Sequence, residues 1–253
     1  MTSPRFLIES VLTAASDIEL PRTVAHHAQH VLRLGDGAEI ILFDGSGGQW
    51  RAHLVAGKRP RATVIAFEPI DHESPLALTV LQAWIAGDKL DWVVEKATEL
   101  GVAQIVLLPA ERSQVRLAGD RLQRRLNHLR AIAGAACAQS GRNKLPAIAA
   151  APSYAAAVDS ARASNVRLVL SPDADSAMVV PAATRSCALL VGPEGGLTLA
   201  ELNIAVTSGF AATRLGPRTL RTETAALAAA AILQATAGDL DLHSDQLGAR
   251  PSR

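Results

Sequence analysis

The sequence predicts an α/β protein, a mostly parallel sheet flanked by helices and preceded by a small β-barrel or sandwich. Three observations carry this. From Leu76 onward, apolar strand segments alternate with helical patterns, the mark of βα units. Before that point, short strands follow one another through turns. Between the two runs lies Glu68-Pro69-Ile70-Asp71-His72-Glu73-Ser74-Pro75, polar and without a period. The expected division is therefore residues 1–70 as the β part, 71–75 as a linker, 76–240 as the α/β part and 241–253 as a polar tail.

The elements follow in order. Glu39–Phe43 and Gln49–Val55 read as strands joined by the hairpin Asp44-Gly45-Ser46-Gly47-Gly48. In the second, Trp50, Ala52 and Leu54 alternate with Arg51 and His53. Arg61–Phe67 is a third strand and Leu76–Trp84 a buried one. Asp88 caps a helix with Leu90, Val93, Val94, Ala97 and Leu100 on one face, stopped by Gly101. Val102–Leu108 is the next strand, and Arg121 to about Cys137 a helix with Leu122, Leu126, Leu129 and Ala133 inward. Val166–Leu170 and Cys187–Val191 are apolar strands. Thr198 and Glu201 form a capping box. Thr213–Leu215 is a short strand, and Thr222–Ala237 an Ala-rich helix ending at Gly238.

Composition excludes several classes. The chain has 253 residues, 49% hydrophobic and 19% charged, enough for a sizeable core. No apolar run spans a bilayer and no secretory signal is visible, so no membrane association is expected. Cys137 and Cys187 are the only cysteines, which argues against a disulfide framework and fits a cytoplasmic location. His26, His27 and His30 lack carboxylate or thiol partners at ligand spacing, so no metal site is expected. GxSxG, HExxH and Walker motifs are missing.

Three stretches carry chemistry. Gly192-Pro193-Glu194-Gly195-Gly196 follows a buried strand, where ligands bind in open α/β sheets. By glycine content alone it reads as a tight strand-to-helix turn before it reads as a ligand loop. Leu215-Gly216-Pro217-Arg218-Thr219-Leu220-Arg221-Thr222-Glu223-Thr224 opens the last helix. Thr222 or Thr224 serves as a plain N-cap, but two arginines at the positive end of a helix call for an anion. Third, Arg112 to Lys144 holds eight Lys or Arg against one acid, Asp120. Arg121, Arg124, Arg125 and His128 share one helix face there, which suggests a phosphate-backbone surface over a merely solvated one.

Read together, these motifs resemble those of the SPOUT class of RNA methyltransferases, and more closely the bacterial 16S rRNA (uracil-N3)-methyltransferase family (RsmE). The stretches that carry the resemblance are Pro4-Arg5-Phe6, His27 to Gly35, Leu42–Gly45, Glu95–Gly101, Glu111-Arg112-Ser113, Ser140–Asn143, Val191–Leu197 and Leu215–Ala225. His30 stands where the family usually has an arginine. The resemblance implies a PUA-like RNA-binding β-barrel in front and a SPOUT α/β domain with a trefoil knot behind. Periodicity alone points to an ordinary Rossmann-like sheet. It also implies a homodimer acting on 16S rRNA of the small ribosomal subunit, with S-adenosyl-L-methionine as cofactor.

The same resemblance implies site residues. Leu170, Gly192, Pro193, Glu194, Gly195, Gly196, Leu215, Gly216, Leu220, Arg221, Thr222 and Thr224 would hold the cofactor. Arg221 would stabilise a uracil anion, and Glu223 would take the N3 proton or fix the arginine. RNA would meet Arg5, His27, His30 and Arg33 in the first domain. In the second it would meet Arg112, Arg121, Arg125, Arg142 and Asn143. Rival readings are a ribose 2′-O-methyltransferase of the same fold, a non-catalytic rRNA-binding assembly protein, and a nucleotide-binding metabolic enzyme.

Overall fold

The computed structural model describes residues 3–10 and 12–240; the expected polar tail, 241–253, lies outside the described residues. The chain forms two compact units. One comprises Met1–Glu73 with Arg130–Leu145, the other Ser74–Leu129 with Pro146–Arg253.

The first unit is built on a sheet of β1 (Arg5–Leu7), β2 (Asp17–Glu19), β3 (Glu39–Phe43), β4 (Gln49–Val55) and β5 (Arg61–Glu68). Its order is β1-β3-β4-β5-β2. β1 pairs with β3 in parallel, and the other neighbours are antiparallel. Ala52 and Leu54 point into the core while Arg51 and His53 face out, as the alternation in β4 dictates. The β3–β4 hairpin needs its glycines. Gly45 has φ +85°, and a Cβ there would strike the Leu145 side chain. Helix α1 (Arg22–His26) runs directly into a π-helical turn, His27–Val31. Strands β1 and β2 were not expected from the sequence, because three residues are too few to show a period.

The second unit contains a six-stranded, wholly parallel sheet. Its strands are β6 (Ala77–Ala83), β7 (Gln104–Leu108), β8 (Ala147–Ala150), β9 (Val166–Leu170), β10 (Ser186–Val191) and β11 (Ala211–Thr213). The order is β11-β9-β10-β6-β7-β8. β10 and β6 lie centrally and are buried almost throughout, which explains their mostly apolar sequences. The helices are α2 (Gly87–Glu99), α3 (Gly119–Ser140), α4 (Tyr154–Ser160), α5 (Leu199–Thr207) and α6 (Thr222–Ala237). The last eleven residues of α3 belong to the first unit. Leu81, Leu108, Val169, Leu190 and Phe210 form part of the core on one side of the sheet.

Most boundaries match the periodicity, with instructive exceptions. The N-cap of α2 is Ala86; Asp88 sits in the first turn, where a carboxylate favours the helix dipole. Gly101, at φ +75°, ends α2 as expected. The Thr198–Glu201 capping box forms with both of its hydrogen bonds. β11 ends at Thr213, so Arg214 and Leu215 leave the sheet and turn toward a cavity. Neither threonine caps α6: its N-cap is Arg221, without a side-chain bond.

Candidate active site

The carboxyl ends of the central strands open into a cavity of about 810 Å³. Three chain segments wall it. One follows β10, running Gly192-Pro193-Glu194-Gly195-Gly196; another runs from Thr213 through Leu220 into the first turn of α6; the third is Leu170-Ser171-Pro172-Asp173 after β9. This is the switch-point position expected of a ligand site in an open parallel sheet. Its volume lies within the range of roughly 300–1,000 Å³ usual for small-molecule pockets.

Local chemistry explains the shape. Gly196 and Gly216 adopt φ +70° and +81°, and a Cβ on either would meet nothing within 4 Å. The backbone is therefore bare toward open space at both points. Arg112, itself on the cavity wall, donates Nη1 to the Gly195 carbonyl at 3.0 Å and pins the loop. Lys89 and Glu194 pair at 3.2 Å. Burial pushes the Glu194 carboxyl up, but its own backbone N–H, that of Ala86, and Lys89 outweigh it and hold the acid below its ordinary value. Arg214 donates Nη1 to the carbonyls of Ala174 and Asp175, fixing the segment after β9. Thr222 donates its hydroxyl to the Gly192 carbonyl at 2.6 Å and accepts from Gln82 Nε2 at 3.2 Å. That is where the expected capping hydroxyl goes.

The structure sorts the expected site residues. Leu170, Gly192, Pro193, Glu194, Gly195, Gly196, Leu215, Gly216, Leu220, Arg221 and Thr222 all line the cavity. Thr224 does not; it is exposed, between the lining residues Thr222 and Ala225. Arg221 and Arg218 are exposed on the lining, with no ion-pair partner among the described residues. Glu223 is half-buried and outside the lining, and its Oε2 is buried without a hydrogen-bond partner among the described residues. Lys89, Asp173, Arg214 and Gln82 were missed by sequence reasoning. No local motif marks Lys89, Arg214 falls inside the expected strand Thr213–Leu215, and Gln82 is one polar residue inside an apolar strand.

The residues expected to bind RNA fall into two groups. His27, His30 and Arg33 are exposed on and just after the π-helical turn, and Arg121 is exposed on α3. The His26 and His30 rings lie 5.1 Å apart. Arg112 is exposed but serves the cavity wall. Arg125 pairs with Asp91 at 2.7 Å and His128 with the same carboxylate at 3.1 Å, so half of the basic face of α3 finds its acid on α2, while Arg121 and Arg124 stay exposed. Arg142, Asn143 and Arg5 turn inward. Arg142 is 3% exposed and holds Glu73 with two hydrogen bonds, at 2.9 and 2.5 Å. Asn143 is fully buried, bonding the Ile70 carbonyl and accepting from Arg5. Arg5 also bonds Gln49 at 2.5 Å and lies over the Phe43 ring. All three side chains are engaged within the unit, Arg142 and Asn143 buried and Arg5 half-buried. Among the described residues no cluster could hold a metal ion, and no helix is long and apolar enough to cross a membrane.

A parallel sheet with a glycine-walled cavity at its carboxyl edge, rimmed by arginines that have no ion-pair partner among the described residues, defines an α/β protein with a small-molecule site suited to an anionic neighbour. The comparisons make this specific. Residues 72–234 match the RNA methyltransferase domain family, and residues 20–67 match the RNA methyltransferase PUA domain. The chain belongs to this RNA methyltransferase family, with a PUA-like sheet in front and a SPOUT-type domain behind. The ribosomal RNA small subunit methyltransferase E of Mycobacterium bovis is 33% identical over 211 residues, 80% of each chain. A methyltransferase from Legionella pneumophila, solved with the bound cofactor SAM, is 31% identical with a TM-score of 0.89, covering 95% of this chain and all of that one. A ribosomal RNA small subunit methyltransferase E from Neisseria gonorrhoeae, bound to S-adenosyl methionine, is 35% identical with a TM-score of 0.85, covering 94% of this chain and all of that one.

Proposed function

We propose that this chain methylates N3 of a specific uridine near the 3′ end of 16S rRNA in the small ribosomal subunit, using S-adenosyl-L-methionine. The observation that carries the reading is the cavity at the carboxyl ends of the central strands, with Arg218 and Arg221 free on its wall.

The cavity fits the cofactor. Leu170, Val191, Leu197 and Leu215 offer apolar surface to a nucleoside, and Glu194 and Asp173 offer negative charge to its cationic groups. The bare backbone at Gly196 and Gly216 permits close approach. When bound, S-adenosylmethionine supplies a methyl group activated by a sulfonium.

The chain's own residues do the rest. The uridine must leave its stack to reach the cavity, as bases do in enzymes that modify them. Uracil N3 loses its proton and bonds the methyl carbon as the carbon–sulfur bond breaks. Arg221 stabilises the uracil anion, its guanidinium having no competing carboxylate among the described residues. Glu223, with one buried oxygen unpartnered, is the proton acceptor or the group that orients Arg221. The PUA-like unit and the exposed arginines of α3 hold the RNA backbone, residues 76–240 carry the transferase, and the active form is a homodimer. Trp92 and Ile232, apolar and at least 46% exposed on the neighbouring helices α2 and α6, support a covered face.

The test uses methyl-labelled S-adenosylmethionine and small subunits from a strain lacking the enzyme. Labelled N3-methyluridine at one site near the RNA's 3′ end is the expected product. A labelled ribose would replace the reaction with 2′-O-methylation.

A further inference from the structure

Gln82 is fully buried near the end of β6, in register with Val191, the residue before Gly192. Its Nε2 donates to the Ala83 carbonyl and to Thr222 Oγ1, both at 3.2 Å. The Ala83 carbonyl can only accept, so this end of the amide is the NH₂ group. Thr222 has a single hydroxyl proton, and it goes to the Gly192 carbonyl at 2.6 Å. The chain of donation therefore has one direction, from Gln82 to Thr222 to Gly192. The next residue, Pro193, has no N–H, so this carbonyl is the only polar group of the Gly192–Pro193 peptide.

Holding Gln82 here is costly. Its Oε1 is buried without a partner among the described residues. Such an orphan costs about 1–3 kcal/mol, which an apolar side chain in the same strand would avoid. The compensating role lies on the Nε2 side.

We propose that Gln82 is a positioning residue for the methyl-transfer site. By donating to Thr222 it commits that hydroxyl's proton to Gly192 and sets the register of the Gly192–Gly196 loop against the first turn of α6, beside Arg221. This rests on reading the cavity as the cofactor site.

Two substitutions separate direction from mere packing. In Gln82→Glu an ionised carboxylate accepts the Thr222 proton and releases the Gly192 carbonyl. In Gln82→Met the Thr222 hydroxyl loses the donor that fixes its direction but gains no acceptor to draw its proton from the Gly192 carbonyl. The measurement is S-adenosylmethionine affinity by calorimetry, as a ratio to wild type, from pH 8 to pH 5.5, with melting temperature followed in parallel. At pH 8, Gln82→Glu should bind about five- to tenfold more weakly and Gln82→Met no more than about threefold. Burial raises the pKa of the introduced carboxyl, and its protonated form regains a donor. The Gln82→Glu ratio should therefore return toward one as pH falls, and the Gln82→Met ratio should stay flat. Equal ratios for the two variants at pH 8, or no recovery at low pH, would overturn the relay. Should Gln82→Glu fail to fold, Thr222→Val must weaken binding while Thr222→Ser preserves it; equal affinity in those two also overturns it. A wild-type protein that binds no S-adenosylmethionine removes the cofactor reading itself, and the relay with it.

Discussion

Two arginine-bearing segments of this chain look alike in sequence and behave oppositely in the structure. Around Arg218 and Arg221 the guanidinium groups stand on a cavity wall with no carboxylate partner among the described residues. Around Gly141–Lys144, Arg142 is buried against Glu73, Asn143 against Ile70 and Arg5, and Lys144 pairs with Asp71. The first arrangement leaves charge available to a ligand. The second uses charge to pin residues 70–73 to the end of α3, so a segment that reads as a loose connector is clasped. Basic character alone does not identify a nucleic-acid surface; the partner of each charge decides its role.

The sharpest way to break this contrast is to remove the clasp. Arg142→Ala leaves Glu73 without its partner and should lower unfolding stability by about 3–5 kcal/mol. Denaturant titration measures it, and the salt dependence of RNA binding should not change. A large loss of RNA affinity with stability intact would return Arg142 to the binding surface. Arg221→Ala should do the reverse, cutting turnover about 100- to 1,000-fold while cofactor affinity stays within a few-fold. Single-turnover rates and calorimetry separate the two, and equal losses would make Arg221 a binding residue. On the exposed face of α3, Arg121→Gln or Arg124→Gln should weaken RNA binding evenly across sequences and reduce the salt slope by about 1 each.

The smallest effect concerns the two thiols, one in each unit. Burial pushes Cys137 up to about 11, opposed by Arg142, and Cys187 up to about 12. Neither should react with a disulfide reagent at pH 8 until the protein unfolds. Because both folded values exceed the ordinary thiol value of about 8.5, the thiols cost no stability below it. Stability should fall as pH rises from there toward 11. Comparing the labelling rates of Cys137 and Cys187 shows which unit opens first.

Sequence periodicity carried much of this structure, and its failures have identifiable causes. The Thr198–Glu201 box and the bounds of α6 are local: each depends on residues within a turn or two. The glycine loop after β10 was visible because a buried strand precedes it. The clasp was not, since Glu73 and Arg142 are 69 positions apart and no local pattern joins them. Nor was α4, a seven-residue helix with three alanines, with only its Ser153 cap as a signal. Gln82 stayed hidden for a subtler reason. Its partner, Thr222, has an ordinary local explanation as a helix cap, and only the fold reveals that its hydroxyl is used elsewhere.

Both units are discontinuous in sequence, and that has a consequence for synthesis. The first unit draws on Arg130–Leu145, so it lacks its closing segment until residue 145 has been made. At ribosomal rates of about 5–20 residues per second, the N-terminal strands wait several seconds for it. Expression of Met1–Glu73 alone would yield a unit without its clasp. The chain cannot fold as beads emerging one after another; its two parts must mature in overlapping time.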